Sequence, residues 1–420
     1  MKTKLLLLVL LFVQLAFSQQ RTCGMEEKMQ RDMSNPVLKL QYLEREAKFE
    51  IEYQKLLNEN SNNLVNRLAP IIIPVAVHYP EVPVTASQDE KDCLIALAQS
   101  QIDVINADYN AANSDLSIWT SGVNNTYPGV NVGNMGVSFQ IAKQNHPAGT
   151  NLSDGMVSVT FGTNFLERAD SDATWAGYMN FVVRDAGSGI LGYSPLRGSP
   201  SAGQTVVMNK FCFGTGDGCS ISGYVPNPSF NLGRTVTHEL GHFFNLNHTF
   251  NGCTTTSNCA SSGDKVCDTP ASSAATYGCP SPGSVLKCNG IKVLTMNYMD
   301  YVNDPCMYLF TAGQTTRMLA YYNSIQSQYK PNVLLSVDSL AYNGFDIYPN
   351  PIKNNFNVDL KEPALDLKLN IVDISGRTIF NKQYSNVLNI QIDNINATTG
   401  IYFVSINADG KTFTKKVIVE

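Results

Sequence analysis

Charge is scarce in this chain: Lys, Arg, Asp and Glu make up 15% of its 420 residues, against roughly a quarter in an ordinary soluble protein. The 30 basic and 35 acidic residues leave a formal charge of -5, so there is no polycationic surface for phosphate backbones or anionic lipid, and nucleic acid is excluded as a partner. Low charge beside a hydrophobic fraction of 43% also argues against long disorder. Long apolar runs are missing beyond the first residues, so the mature chain is expected to hold no transmembrane segment, which needs about 20 such residues. Cysteine is absent after Cys306, although eight of the ten cysteines lie between Cys212 and Cys306. Its density suits an exported, disulfide-held domain rather than a reducing cytosol, and its sudden end places a domain boundary beyond Cys306.

The start of the chain agrees with export. Lys2 and Lys4 precede an apolar run from Leu5 to Phe17, and Ala16-Phe17-Ser18 supplies a small-residue cleavage point, so residues 1–18 read as a signal peptide. Residues 19–67 form a leader: Glu26 to Asn58 lacks glycine, is rich in Glu, Lys, Arg, Gln and Leu, and is expected to be helical apart from Pro36. Polar residues at Asn58 to Asn63 break the pattern, and Arg67 in that joint is a candidate cleavage site. A folded domain is expected over 68–332, with a strand at Ile71 to His78, a helix near Asp89 to Ala107, strands at Val137 to Lys143, Phe181 to Arg184 and Thr205 to Met208, and a late helix from Thr311 to Tyr329. The class is α+β. A linker is expected over 333–344. From residue 345 to 420 short alternating runs such as Phe356 to Leu360, Leu367 to Val372 and Ile401 to Ile406, parted by turn signals at Ser375-Gly376 and Asp409-Gly410, predict a small all-β sandwich.

Histidine is rare, with five in the chain, yet His238, His242 and His248 fall within eleven residues. His238 and His242 are one helical turn apart and share a face, so both imidazoles can reach one metal ion, with Glu239 beside it as general base. His248 can reach the same ion only if the helix ends near residue 245 and the chain turns sharply. Asn245 occupies the place where a glycine is common, and Asn enters the left-handed region more readily than most residues. His78, within an apolar strand, reads as a structural histidine, and His146 as a solvent-facing loop residue.

This segment resembles the metzincin zinc peptidases, and within them the pappalysin family, over roughly residues 68 to 325. The likeness is carried by Gly192-Tyr193, by Leu232-Gly233-Arg234-Thr235 leading into the histidine motif, and by Gly263 to Pro270. It continues in Asn297-Tyr298-Met299-Asp300-Tyr301, in Phe310 to Gln314, and in Arg317-Met318. The resemblance implies a two-subdomain catalytic domain, with a twisted mixed sheet plus helices around a zinc cleft. It implies one catalytic Zn2+ on His238, His242 and His248, with Met299 as an apolar floor in a turn beneath the metal. Tyr301 would hydrogen-bond the oxyanion of the tetrahedral intermediate. The reaction implied is peptide-bond hydrolysis by a secreted endopeptidase made as a latent preproenzyme, on extracellular proteins or peptides, with Asp304 as a candidate acidic floor for a basic side chain after the scissile bond. The alternative class is a non-catalytic polypeptide-binding or adhesive secreted protein.

The same resemblance suggests Cys253 with Cys288 and Cys279 with Cys306 as disulfides. Cys212 with Cys219, and Cys259 with Cys267, are close enough in sequence to form local loops, which leaves Cys93 as a buried thiol. Arg21-Thr22-Cys23-Gly24 resembles the cysteine-switch segment of pappalysin zymogens, in which Cys23 would block the zinc. A Cys23 to Cys93 disulfide is the alternative. Ca2+ is a second ion that related enzymes bind, with Asp264 and Asp268 as available carboxylates. The last 75 residues resemble the sorting domain of bacterial type IX secretion, through Tyr348-Pro349-Asn350-Pro351, Asp373 to Arg377, Gly400-Ile401-Tyr402 and the basic terminus at Lys415-Lys416. Expected partners are therefore polypeptide substrates and that secretion machinery. The expected state is a monomer, outside the cell or on its surface.

Overall fold

A computed structural model describes residues 20–59, residues 71–334 apart from Ser188 and Thr256, and residues 345–420 apart from 354, 374, 375, 394, 396, 409 and 410. The expected signal peptide, the joint with Arg67 and nearly all of the expected linker lie outside these residues. The chain divides into two units, residues 1–334 and 335–420.

The first unit opens with two leader helices, α1 (Met25–Ser34) and α2 (Pro36–Glu59). Strand β1 (Ile71–Tyr79) follows, buried along almost its whole length. Helix α3 (Gln88–Tyr109) starts where the Ser87 hydroxyl accepts the Glu90 N–H, a side-chain cap for one of the helix's orphan donors. Its Leu94, Leu97, Ala98, Ile102 and Ile105 are all buried in the main core with β1. Each of these leucines and isoleucines, removed from water, contributes about 1.5 to 3 kcal/mol. After a short helix α4 (Leu116–Thr120) come β2 (Val137–Ile141), β3 (Val159–Phe161), β4 (Met179–Val183), β5 (Gly192–Tyr193) and β6 (Thr205–Met208). The sheet order is β2-β1-β4-β6-β5, with β3 also on β1. All pairings are parallel except β5 with β6, where Gly192 faces Met208. This mixed sheet places β5 at one edge.

Helix α5 (Arg234–Phe243) carries the first two motif histidines, and the small hairpin of β7 (Leu286–Lys287) with β8 (Ile291–Lys292) follows. Helix α6 (Ala312–Ile325) begins at a capping box between Thr311 and Gln314. It ends earlier than its helical pattern predicts, in a 3-10 turn at Gln326–Gln328. The chain then stays docked through Val333, whose carbonyl accepts the Lys143 and Gln144 N–H groups.

Four disulfides form: Cys93–Cys219, Cys253–Cys288, Cys259–Cys267 and Cys279–Cys306. The expected Cys212–Cys219 loop is incorrect, and so is Cys93 as a thiol. Cys212 turns its sulfur into the core, toward the carbonyls of Leu191 (3.0 Å) and Asn209 (3.2 Å), while Cys219 lies against α3, where Cys93 meets it. Closeness in sequence did not bring the two side chains to one side of the intervening turn.

His78 is fully buried, with its ring nitrogens 2.8 Å from the Thr160 hydroxyl and 3.2 Å from the Asn180 amide oxygen. Burial pulls its pKa down to about 3 from the ordinary 6.5. The unfolded chain therefore binds a proton that the folded chain refuses, so stability is full above pH 6.5 and falls as pH drops from there toward 3. One such group tilts stability by about 1.4 kcal/mol per pH unit in that window. His78→Gln, which cannot titrate, is expected to flatten the acid limb of urea midpoint against pH, and limbs of equal slope would refute this. His146 is half-buried rather than solvent-facing, held between Ser158 and the Met156 carbonyl at 3.0 Å each.

The second unit is all-β: β9 (Phe345–Tyr348), β10 (Asn355–Asp373), β11 (Thr378–Asp393), β12 (Gly400–Ala408) and β13 (Lys411–Val419). The two runs read as separate strands at Phe356 to Leu360 and Leu367 to Val372 are one strand, β10. Its register on β11 shifts between Asp359 and Ala364, and its first half pairs with β9 while its second pairs with β12. A bulge of this kind bends a strand, which lets one β10 serve both neighbours over a shared core that includes Phe345, Val358, Leu369, Val404 and Val417.

Candidate metal centre and the leader that crosses it

Helix α5 has an unusual start. Gly233 stands before it at φ 73°, and no side chain of its own caps the first turn. The cap comes from Asp304, whose Oδ2 accepts the Leu232 N–H (2.9 Å) and the Arg234 N–H (3.2 Å). A carboxylate at a helix N-terminus is favoured by both the free N–H groups and the dipole.

From this anchored start, His238 and His242 project together, ring centroids 4.8 Å apart. Each fixes its outer nitrogen on a backbone carbonyl: His238 Nδ1 on Tyr298 and His242 Nδ1 on Leu246, both at 2.7 Å. Those donors leave the Nε2 lone pairs free to coordinate. The helix ends at Phe243, Asn245 two residues on adopts φ 74°, and the chain returns so that His248 Nε2 lies 3.1 Å from His242 Nε2. His238 Nε2 is buried and has no hydrogen-bond partner among the described residues. Burial, chiefly, pulls His242 down to about 4 and His238 and His248 well below their ordinary value, so all three rings are neutral, the form that binds metal.

The Cys23 sulfur completes the group, the four ligand atoms all lying within 4.8 Å of one another. Tetrahedral Zn2+ bonds of about 2.0 to 2.3 Å would separate such atoms by roughly 3.5 Å. Three converging ring nitrogens, with His238 Nε2 unpartnered, fit a cation, and the mixed nitrogen and sulfur set fits zinc. Glu239 stands beside this group, accepting the Cys23 thiol at 3.3 Å, and burial raises its pKa to about 8. Burial and the Glu239 carboxylate push the Cys23 thiol well up, so a cation is what would hold it as thiolate. Met299 is fully buried under α5, so close that a Cβ on Gly241 would meet its sulfur at 2.6 Å. The Tyr301 hydroxyl lies 3.2 Å from His248 Nε2 and accepts the Cys23 N–H at 3.2 Å.

Around Cys23 the leader adds itself to the sheet edge. Leu191 N–H donates to the Thr22 carbonyl and Gly24 N–H to the Gly192 carbonyl, each at 3.0 Å, and the leader runs parallel to β5. Arg21 was named in the sequence only as part of the cysteine segment. It is 1% exposed, forms an ion pair with Asp304 Oδ1, donates to the Val302 carbonyl (3.1 Å) and the Thr235 hydroxyl (3.0 Å), and lies over the Phe230 ring. A basic residue two places before a cysteine was the available signal.

Asp264 and Asp268 do not join this centre. Asp264 accepts the Thr269 hydroxyl and the Val266 N–H, and Asp268 accepts the Thr311 hydroxyl and the Gly313 N–H.

Comparison with known proteins agrees with this geometry. Residues 177–323 match the family described as pregnancy-associated plasma protein-A, and residues 346–420 match the secretion system C-terminal sorting domain. An extracellular metalloprotease of Arthroderma benhamiae is 32% identical over 226 residues, 52% of this chain and 73% of that protein. Another, from Colletotrichum graminicola, is 40% identical over 152 residues, 35% of this chain and 49% of the relative. The chain spans about half the length of several such curated relatives. Among solved structures, a mutant promirolysin of Tannerella forsythia is 28% identical with a TM-score of 0.51, covering 73% of this chain and 95% of that one. The chain belongs to the pappalysin family of metallopeptidases, which implies a catalytic zinc. With its sorting domain it is a secreted protein, and no helix among the described residues is long and apolar enough to cross a membrane.

Proposed function

We propose that the protein is a zinc-dependent endopeptidase, held latent by its leader and selective for a basic residue after the scissile bond. The observation that supports it most is the convergence of His238, His242, His248 and Cys23 beside Glu239. A bound zinc would supply a Lewis acid that lowers the pKa of water and polarises the scissile carbonyl. Glu239 takes the proton of the attacking water and passes it to the leaving amine. Tyr301 offers its hydroxyl to the developing oxyanion once the Cys23 N–H has left it. β5 offers main-chain groups to an extended polypeptide, as it does to Thr22 and Gly24 of the leader.

The leader also supports the specificity reading. Arg21 fills the space over Asp304 with the contacts a substrate arginine or lysine would seek, and Cys23 would join the three histidines in holding a bound zinc. While both are seated, no carbonyl can enter. Calcium rests on Asp264 and Asp268 alone, whose oxygens already accept hydrogen bonds from the protein.

The test is hydrolysis of a mixed peptide library by protein freed of its leader, with mass spectrometry of the fragments. Cleavage before Arg and Lys is expected, abolished by a zinc chelator and restored by returning zinc. Leader-free protein that cuts nothing with zinc present would sink the proposal.

A further inference from the structure

The turn that launches His248 rests on Asn245, which enters the left-handed region more readily than most residues but less freely than glycine. Asn245 is fully buried at φ 74°, a region that a glycine enters freely and a side chain enters at a cost. Much depends on the turn: its Asn245 N–H closes on the His242 carbonyl, and the next carbonyl, of Leu246, is what orients the His242 ring. Something outside the turn has to hold it.

Arg317, from the middle of α6, does so. Its Nε donates to the Asn245 carbonyl at 2.8 Å and its terminal nitrogen to the Asn245 side-chain oxygen at 3.3 Å. The guanidinium is buried, has no ion-pair partner among the described residues, and is covered by the rings of Phe49 (4.8 Å) and Tyr53 (5.7 Å) from the leader helix α2. A buried cation facing rings rather than a carboxylate is an expensive arrangement, and what it gains here is a two-pronged grip on one residue. Lysine could not reproduce that grip, because an ammonium has no planar fork.

We propose that Arg317 is a positioning residue for the metal centre: its fork on Asn245 fixes the left-handed turn that a glycine would adopt unaided, and so sets His242 and His248 on the ion. The proposal rests on the zinc reading above and deepens it.

The experiment compares zinc affinity of the full chain, by competition with a chromophoric chelator, for wild type, Arg317→Lys, Asn245→Gly and the double variant. The absorption of the cobalt-substituted proteins and the thermal midpoint of the metal-free ones are recorded alongside. Arg317→Lys is expected to weaken zinc binding roughly tenfold or more, in the range seen for groups that support metal ligands, and to shift the cobalt bands. Asn245→Gly alone should bind nearly as wild type, and adding it to Arg317→Lys should recover most of the loss. Equal loss with and without Asn245→Gly would overturn the proposal, as would a lowered metal-free midpoint with unchanged affinity. If Arg317→Lys does not fold, Asn245→Ala keeps the arginine but removes its side-chain acceptor. It should bind zinc more weakly than Asn245→Gly, and equal binding would overturn the proposal. Wild type that takes up no zinc overturns the metal reading and this proposal together, whereas indistinguishable variants of a zinc-binding wild type overturn this proposal alone.

Discussion

Glu239→Ala is expected to lower peptide hydrolysis by roughly 10³-fold to 10⁴-fold, the upper range for loss of a general base, while leaving zinc bound one to one. The two outcomes separate because the Glu239 carboxylate is not among the four converging ligand atoms. Stability should hold or rise, since burial already opposes ionisation of this carboxyl. Turnover and metal content of the same leader-free preparation decide the matter. Residual activity near wild type would move the base elsewhere, and loss of zinc would make Glu239 a structural support instead.

The second large effect is expected in the uncleaved precursor. Arg21→Ala removes an ion pair with the fully buried Asp304 and two further hydrogen bonds. Removing one partner of a buried pair commonly costs about 3 to 5 kcal/mol. Cys23→Ala opens the fourth ligand position but leaves that anchor in place. Each variant should hydrolyse a peptide before any leader cleavage is visible on a gel, and the double variant should be the most active. Fully latent variants would show that α1 and α2 close the cleft without them. Asp304 would keep one set of partners after the loss of Arg21, because its other oxygen still caps α5.

The centre was legible because its chemistry is local. Offsets of four and six residues place three histidines on one point once the chain turns at Asn245, and a sequence states such offsets directly. Contacts across long separations were not legible. Nothing in the residues near Cys219 says that its partner is Cys93, 126 positions away, or that Cys212 faces inward. The same holds for Arg21 and Asp304, whose meeting depends on where the leader crosses β5. In the second unit, alternation revealed the strands but not their continuity, because a bulge inside β10 interrupts the pattern without ending the strand.

The Cys93–Cys219 bond closes a loop of 126 residues, a restriction of the unfolded chain worth about 5 kcal/mol on the chain-entropy account. That is comparable to the whole stability margin of many domains, about 5 to 15 kcal/mol. In a reducing cytosol this contribution vanishes, together with those of the three shorter loops. A chain whose cysteines are reduced is then less stable than the oxidised molecule by about that amount. The same four bonds therefore tie the stability of the folded chain to an oxidising surrounding.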